Sequence, residues 1–180
     1  MPQIKVIEEV SGLYKISPLK IFRKTEKVTF DFVPLKLIPG IDAIDRVIHK
    51  PHAVSPGAVG DIERPWYMHP HQEDNLVVLS GERLVELYTK KLGRVERFII
   101  SADGIKREDG SVIYSGGVML SWPTLVFHRV KSTGKGSASI NIAVHLEGFD
   151  IKTNFNIYGL DTGTGSFKLI REGYLDQFEV

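Results

Sequence analysis

Tight-turn signals cut this chain into short runs, and those runs alternate apolar and polar residues. Asp103-Gly104, Asp109-Gly110, Gly116-Gly117 and the stretch Asp161-Thr-Gly-Thr-Gly165 all fall between such runs. These residues tolerate the left-handed or sharply bent backbone of a hairpin turn. Between Ser139 and Glu147 the alternation is clean, with Ile140, Ile142, Val144 and Leu146 on one face. Asn141, Ala143, His145 and Glu147 take the other face, as a period of two requires of a strand. Lys27–Val33, Arg83–Tyr88, Arg94–Ile100, Val112–Tyr114 and Val118–Trp122 also read as strands, with Lys90–Gly93 as the turn of a hairpin. Ile41–Ile48 fits a short amphipathic helix or a strand, with the strand preferred; Ser132–Ser137 reads as a flexible turn, and Lys152–Tyr158 as a strand returning through Ser166–Arg171. Many strands with almost no helical period predict an all-β fold. So many strands must hide their edges, which predicts a closed or two-sheet barrel.

A length of 180 residues suits one domain with a proper core. The charges balance, with 23 basic against 22 acidic residues and a net charge of +1, so no broad attraction to nucleic acid or to an anionic membrane is expected. The absence of cysteine removes disulfides, thiolate metal ligands and thiol nucleophiles together. Lys5, Glu8 and Glu9 interrupt the N-terminal stretch where a signal peptide needs an apolar region, and no stretch approaches the ~20 apolar residues of a membrane span. The expectation is a cytoplasmic protein.

The chemistry concentrates between Trp66 and Gly81. His69 and His71 stand two apart, Glu73 and Asp74 follow, and an apolar run leads to Gly81. On a strand, two such imidazoles project in parallel toward one point, an arrangement that suits a metal ion. Imidazole together with carboxylate fits one divalent transition metal ion of the Fe, Mn, Zn or Ni kind. His49 and His52, separated by three and flanking Pro51, read as loop residues.

These residues resemble the two motifs of the cupin superfamily, the RmlC-like barrels. The first motif is matched by His69-Pro-His71, Asp74 and, six residues on, Gly81. The second is matched by Gly117, five residues, Pro123-Thr-Leu125, two residues, His128, three residues and Ser132. Leu125 stands where the family has a turn glycine, which predicts a turn with negative φ there. Ser132 stands where the family has Asn. The resemblance implies a double-stranded β-helix, the jelly-roll barrel, as a single domain over 1–180. Its N-terminal strands or arm would cover about 1–53, the core barrel about 54–172, and a short tail the rest. It also implies a metal held by His69, His71, Asp74 and His128. Strand parity from the histidine pair would select Glu73 rather than Asp74, and Gln72 is a further substitute. His145 would be a partner behind the ligands or an outer-face histidine.

Three or four protein ligands leave positions for water or substrate, as a catalytic metal site does. The leading expectation is therefore a metal-dependent enzyme of oxygenase or isomerase type acting on a small polar organic substrate. Trp66, Tyr67, Trp122 and Arg129 are candidates for the cavity mouth, and no residue is nominated as catalytic. A second expectation is a metal-independent enzyme similar to the nucleotide-sugar epimerases, in which a His removes a proton beside a ketone and a Tyr acts as acid. A third is a non-catalytic small-molecule-binding barrel. Related barrels pair through added N-terminal strands, so a homodimer is expected.

Overall fold

The computed structural model describes residues 5–178. Its strands in chain order are β1 (Glu8–Val10), β2 (Tyr14–Pro18), β3 (Lys20–Lys24), β4 (Thr29–Phe32), β5 (Ala43–His49), β6 (Val54–Ser55), β7 (Trp66–Met68) and β8 (Gln72–Tyr88). After these come β9 (Val95–Ser101), β10 (Gly104–Arg107), β11 (Val112–Ser115), β12 (Val118–Trp122) and β13 (Phe127–His145). A single helical turn, α1 (Ile151–Asn154), precedes β14 (Ile157–Asp161) and β15 (Ser166–Arg171). Thirteen strands join in one antiparallel network, and β3–β4 form a separate hairpin. The fold is all-β, as the turn spacing predicts, and no described helix is long and apolar enough to cross a membrane.

Two long strands organise the barrel. β8 and β13 run antiparallel, with Gln72 opposite His145 at one end and Tyr88 opposite Phe127 at the other. One half of β8 also pairs with β12, and the other half pairs with β9. Each long strand thus serves both layers, and the ribbon they form changes pitch where its register shifts, between Ser132 and Ser137 and again between Ala138 and Ser139. The bulge reverses parity: Asp74, Leu76 and Val78 face inward before it, and Arg83, Val85 and Leu87 after it.

The inward residues form a core of Leu13, Ile16, Val78, Val85, Leu87, Phe98, Ile100, Val118 and Leu120. At one end of this core the interior turns polar. On the outer face, Val77, Met119, Ile142 and Val144 are covered by Leu19, Val33, Leu37, Ile38 and Ile41 of the N-terminal segment. Elsewhere Trp66, Met68, Tyr88 and Phe127 are covered by Tyr158 and Leu160 of β14.

Three local expectations are corrected. Ser132–Ser137 is not a free turn but a bulge within β13: Ser132 pairs with Arg83 and Ser137 with Gly81, and the four residues between them leave the ladder. Residues 151–154 form a helical turn rather than the start of a strand, since the Asp150 side chain accepts the Lys152 N–H at 2.9 Å and caps it; only Ile157 onward pairs with β15. Leu125 has φ of 65°, not a negative value, because its N–H must reach the His69 carbonyl at 2.9 Å across the turn between β12 and β13. The strand expected over Ile41–Ile48 is present as β5.

Candidate functional site

The polar end of the barrel holds an open cavity of about 180 Å³. Leu76 and Trp122, which also belong to the apolar core, form part of its wall. His69 enters from the loop between β7 and β8, Asp74 from β8, and His128 from β13. All three are buried, and each offers one ligand-type atom within 4.8 Å of the others.

The ring nitrogens are assigned by their partners. His69 Nδ1 meets the backbone carbonyl of Asn154, at the end of α1. A carbonyl only accepts, so Nδ1 carries the proton and Nε2 presents a lone pair. That Nε2 lies 3.6 Å from Asp74 Oδ2. His128 repeats the arrangement, with Nδ1 donating to the Val126 carbonyl at 3.2 Å. Burial, and then the neighbouring His69, push the His128 pKa down to about 4, against the opposing pull of Asp74. His128 is therefore a neutral imidazole at pH 7.

Asp74 is held from one side only. Its Oδ1 accepts from Gln72 Nε2 and Asn141 Nδ2, each at 2.7 Å, while its buried Oδ2 has no hydrogen-bond partner among the described residues. Gln72 in turn accepts from Asn154 Nδ2 at 2.8 Å and meets His145 Nε2 at 3.1 Å. The Trp122 Nε1 is likewise buried without a partner. Tyr67 and Phe155 pack against His69, with the Tyr67 ring stacked at 6.2 Å.

No known family model matches the sequence, and neither does any curated protein. Solved structures do match by shape. The dTDP-4-dehydrorhamnose 3,5-epimerase from Elizabethkingia anophelis superposes with a TM-score of 0.58 at 10% identity, over 85% of this chain and 79% of that one. A dTDP sugar isomerase from Desulfovibrio desulfuricans gives 0.54 at 18% identity, over 81% and 85%. QdtA, a sugar 3,4-ketoisomerase from Thermoanaerobacterium thermosaccharolyticum in complex with TDP, gives 0.54 at 14%, over 79% and 85%. At these identities the likeness establishes architecture. The chain has the fold of an RmlC-like cupin barrel.

Within this barrel, the structure brings together His69, Asp74 and His128 and leaves out His71. The parity argument for the histidine pair does not apply, because His69 to His71 lie between β7 and β8 rather than on either strand. His71 turns outward, its ring beside Gly148, and its carbonyl accepts the Leu146 N–H. The same break in the strand resets the phase, so Asp74 points inward and Glu73 faces the opposite side, toward Glu9 and Pro123. Gln72 shares the inward phase and buttresses Asp74 rather than replacing it. His145 connects to Asp74 through Gln72, and its Nδ1 lies 3.1 Å from Asp42. Tyr67 and Trp122 line the cavity of the cupin, whereas Trp66 and Arg129 stack on one another outside it, 4.1 Å from guanidinium carbon to ring centre.

Sequence reasoning missed Arg83, Asn141, Asn154 and His49. Arg83 carried a usable signal, standing in phase with Val85 and Leu87 in an otherwise apolar alternation. His49 ends β5 rather than lying in a loop and faces the cavity, while His52 does lie in the following turn, with φ of 58°. Asn154 had no local signal, since its role depends on α1 folding back over the barrel end.

One pH effect follows from His128. A folded-state pKa lowered from 6.5 to about 4 makes protonation unfavourable in the folded state, so stability is full above pH 6.5 and falls as pH drops toward 4. Urea melts in EDTA at pH 7.5 and 4.5 should differ by about 2 kcal/mol more in the native protein than in His128→Gln. An equal difference in both proteins would disprove the buried neutral imidazole.

Proposed function

We propose that this cupin is an isomerase-type enzyme that moves a proton beside the carbonyl group of a small, sugar-like substrate. The observation that carries the reading is the pair of imidazoles whose Nδ1 atoms are committed to backbone carbonyls, beside a carboxylate oxygen that has no partner. His69 is the base: its Nε2 takes the proton from the carbon next to the carbonyl, and Asp74 Oδ2 at 3.6 Å stabilises the imidazolium that forms. His128, which burial disfavours as a cation, stays neutral and borders the reacting carbon. Tyr67 lines the same cavity, and burial raises its pKa against the lowering effect of a Ser55 hydrogen bond, so it holds its proton as the acid. The Trp122 N–H has no protein acceptor and is placed to receive one from a substrate oxygen. Protonation of the same carbon from the opposite face by Tyr67 epimerises the substrate. Where that carbon carries a hydroxyl, Tyr67 instead protonates the carbonyl oxygen and takes the hydroxyl proton in exchange, while His69 returns its proton to the former carbonyl carbon, which shifts the ketone. The epimerase and ketoisomerase activities named for the similar barrels support this reading.

The test is hydrogen exchange in deuterated water with a panel of ketoses and dTDP-4-keto-6-deoxy sugars. The native protein should introduce deuterium next to the carbonyl, and His69→Asn should lower that rate at least ~100-fold. Exchange at the native rate in His69→Asn would overturn the assignment.

A divalent metal between His69, Asp74 and His128 is a second reading, favoured by the orphaned Asp74 Oδ2 and by the backbone carbonyls that fix both imidazole tautomers. Two histidines and one carboxylate suit Fe or a similar ion with open positions, which would polarise a bound carbonyl. Metal analysis of the isolated protein should then show an ion that His128→Ala loses. Full stoichiometry in that variant would exclude this set of ligands.

A further inference from the structure

The cavity has a second polar region that the proton chemistry leaves unused. Arg83 is only 2% exposed, and no described carboxylate forms an ion pair with it. Its Nε donates to Ser137 Oγ at 2.8 Å and its Nη2 to the Val47 carbonyl at 3.1 Å. A guanidinium has five N–H groups, so three have no acceptor among the described residues. Burying an unpaired cation is strongly unfavourable, and a chain normally avoids it unless an anion completes the site.

The surroundings are arranged for that anion. Ser137 Oγ is 2.7 Å from Ser132 Oγ, which is 3.0 Å from His49 Nδ1, so one hydrogen-bonded chain links His49 to Arg83. Burial, and then the charge of Arg83, push the His49 pKa down to about 4, which leaves Arg83 as the cation of this region. Asp45, the other carboxylate of the wall besides Asp74, stands opposite Asn141, whereas His49 stands opposite Ser137. Asp45 is two residues along β5 from Val47, whose carbonyl Arg83 reaches, yet the two side chains form no ion pair, so the guanidinium fork stays open to a ligand.

We infer that Arg83 holds the carboxylate of a sugar acid whose carbonyl end reaches His69. The shared lining supports the class: the cavity of about 180 Å³ is bordered by both Arg83 and His69, so one small ligand can meet both. The planar fork of an arginine matches a carboxylate by two parallel hydrogen bonds. The inference rests on the proposed function for the carbonyl end but not for the acid end. The sugar acid is either free or carried on a nucleotide that stays outside the cavity.

Calorimetry on the full chain separates these cases, using D-glucuronate against D-glucose, UDP-glucuronate against UDP-glucose, and inorganic phosphate. At least one acid should bind ~10-fold or more tightly than its neutral twin. That preference should vanish in Arg83→Gln and persist in His69→Asn. Preference for the linked pair alone identifies a nucleotide-carried acid, and preference for the free pair a free one. If Arg83→Gln does not fold, Arg83→Lys keeps the charge but loses the fork and should reduce the preference several-fold. Equal binding of both twins by the native protein, an undiminished preference in the Arg83 variant, or binding of phosphate alone would overturn the inference. Failure of the deuterium exchange test with an intact Arg83-dependent preference would reject the proton chemistry and leave the acid subsite standing.

Discussion

Gly81→Ala should destabilise the barrel by about 2–5 kcal/mol or prevent folding. A methyl group at this position would lie 2.0 Å from the Gly136 carbonyl oxygen and 2.9 Å from the Ser137 Cα. Both are backbone atoms of the neighbouring strand and have no side-chain freedom with which to yield. Gly136 is itself confined, since a Cβ there would lie 2.5 Å from the His49 carbonyl. Overpacking contributes about 1–3 kcal/mol, and the left-handed backbone at φ of 70° adds about 1–2 kcal/mol for a residue with a side chain. Gly110→Ala is the control: φ is 87°, but nothing lies within 4 Å of the added Cβ, so only the backbone part remains. Urea melts should separate the two variants by at least ~1 kcal/mol. Equal losses would mean that the close crossing of β8 and β13 is not a constraint. The crossing matters for function because it lies between Asp74 and Arg83 on one strand and brings both to the same interior.

The second large effect is expected at Glu86. This carboxylate is 5% exposed and takes hydrogen bonds from Arg129 at 2.7 and 3.1 Å, from Arg64 at 3.0 Å and from Arg97 at 3.0 Å. Burial alone would raise its pKa, but the hydrogen bonds and charges of the three arginines outweigh burial and hold it below the usual carboxylate range. Glu86→Gln leaves Arg64 and Arg129 without a counter-charge and Arg97 with only Glu108 at 3.6 Å, and breaking a buried pair in this way typically destabilises by about 3–5 kcal/mol. The arginines retain 18–39% side-chain exposure, so water relieves part of that strain and the lower figure, about 3 kcal/mol, is expected. A depressed carboxylate pKa gives stability that is present above pH ~4.3 and is lost as pH falls through the folded value. The gap between native protein and variant should therefore be full at pH 7 and shrink below pH 4. A constant gap across that range would show that Glu86 acts by packing and not by charge.

Parts of the site were readable before any fold was known. The resemblance to the cupin motifs pointed to Asp74, counted back from Gly81, and to His128 after Pro123, whereas strand parity alone would have selected Glu73. His71 was misplaced for a local reason: the His-Pro-His segment lies in a loop, where alternation carries no information. Leu125 shows the opposite failure. A leucine argues against positive φ, but the hydrogen bond to the His69 carbonyl is formed across the barrel end and forces that backbone conformation on it.

The chain's own pattern determined that it is all-β and where most of its turns fall, since alternation and glycine act over a few residues. What surrounds the cavity was decided by contacts between residues far apart in sequence. Asn154 fixes the tautomer of His69 from 85 residues away, Asn141 steadies Asp74 from 67, and Ser137 anchors Arg83 from 54. Such pairs form only after β8 and β13 have crossed and α1 has folded over the end. No short window of sequence contains the charge, the partner and the burial that together make Arg83 an unpaired cation facing the same cavity as His69.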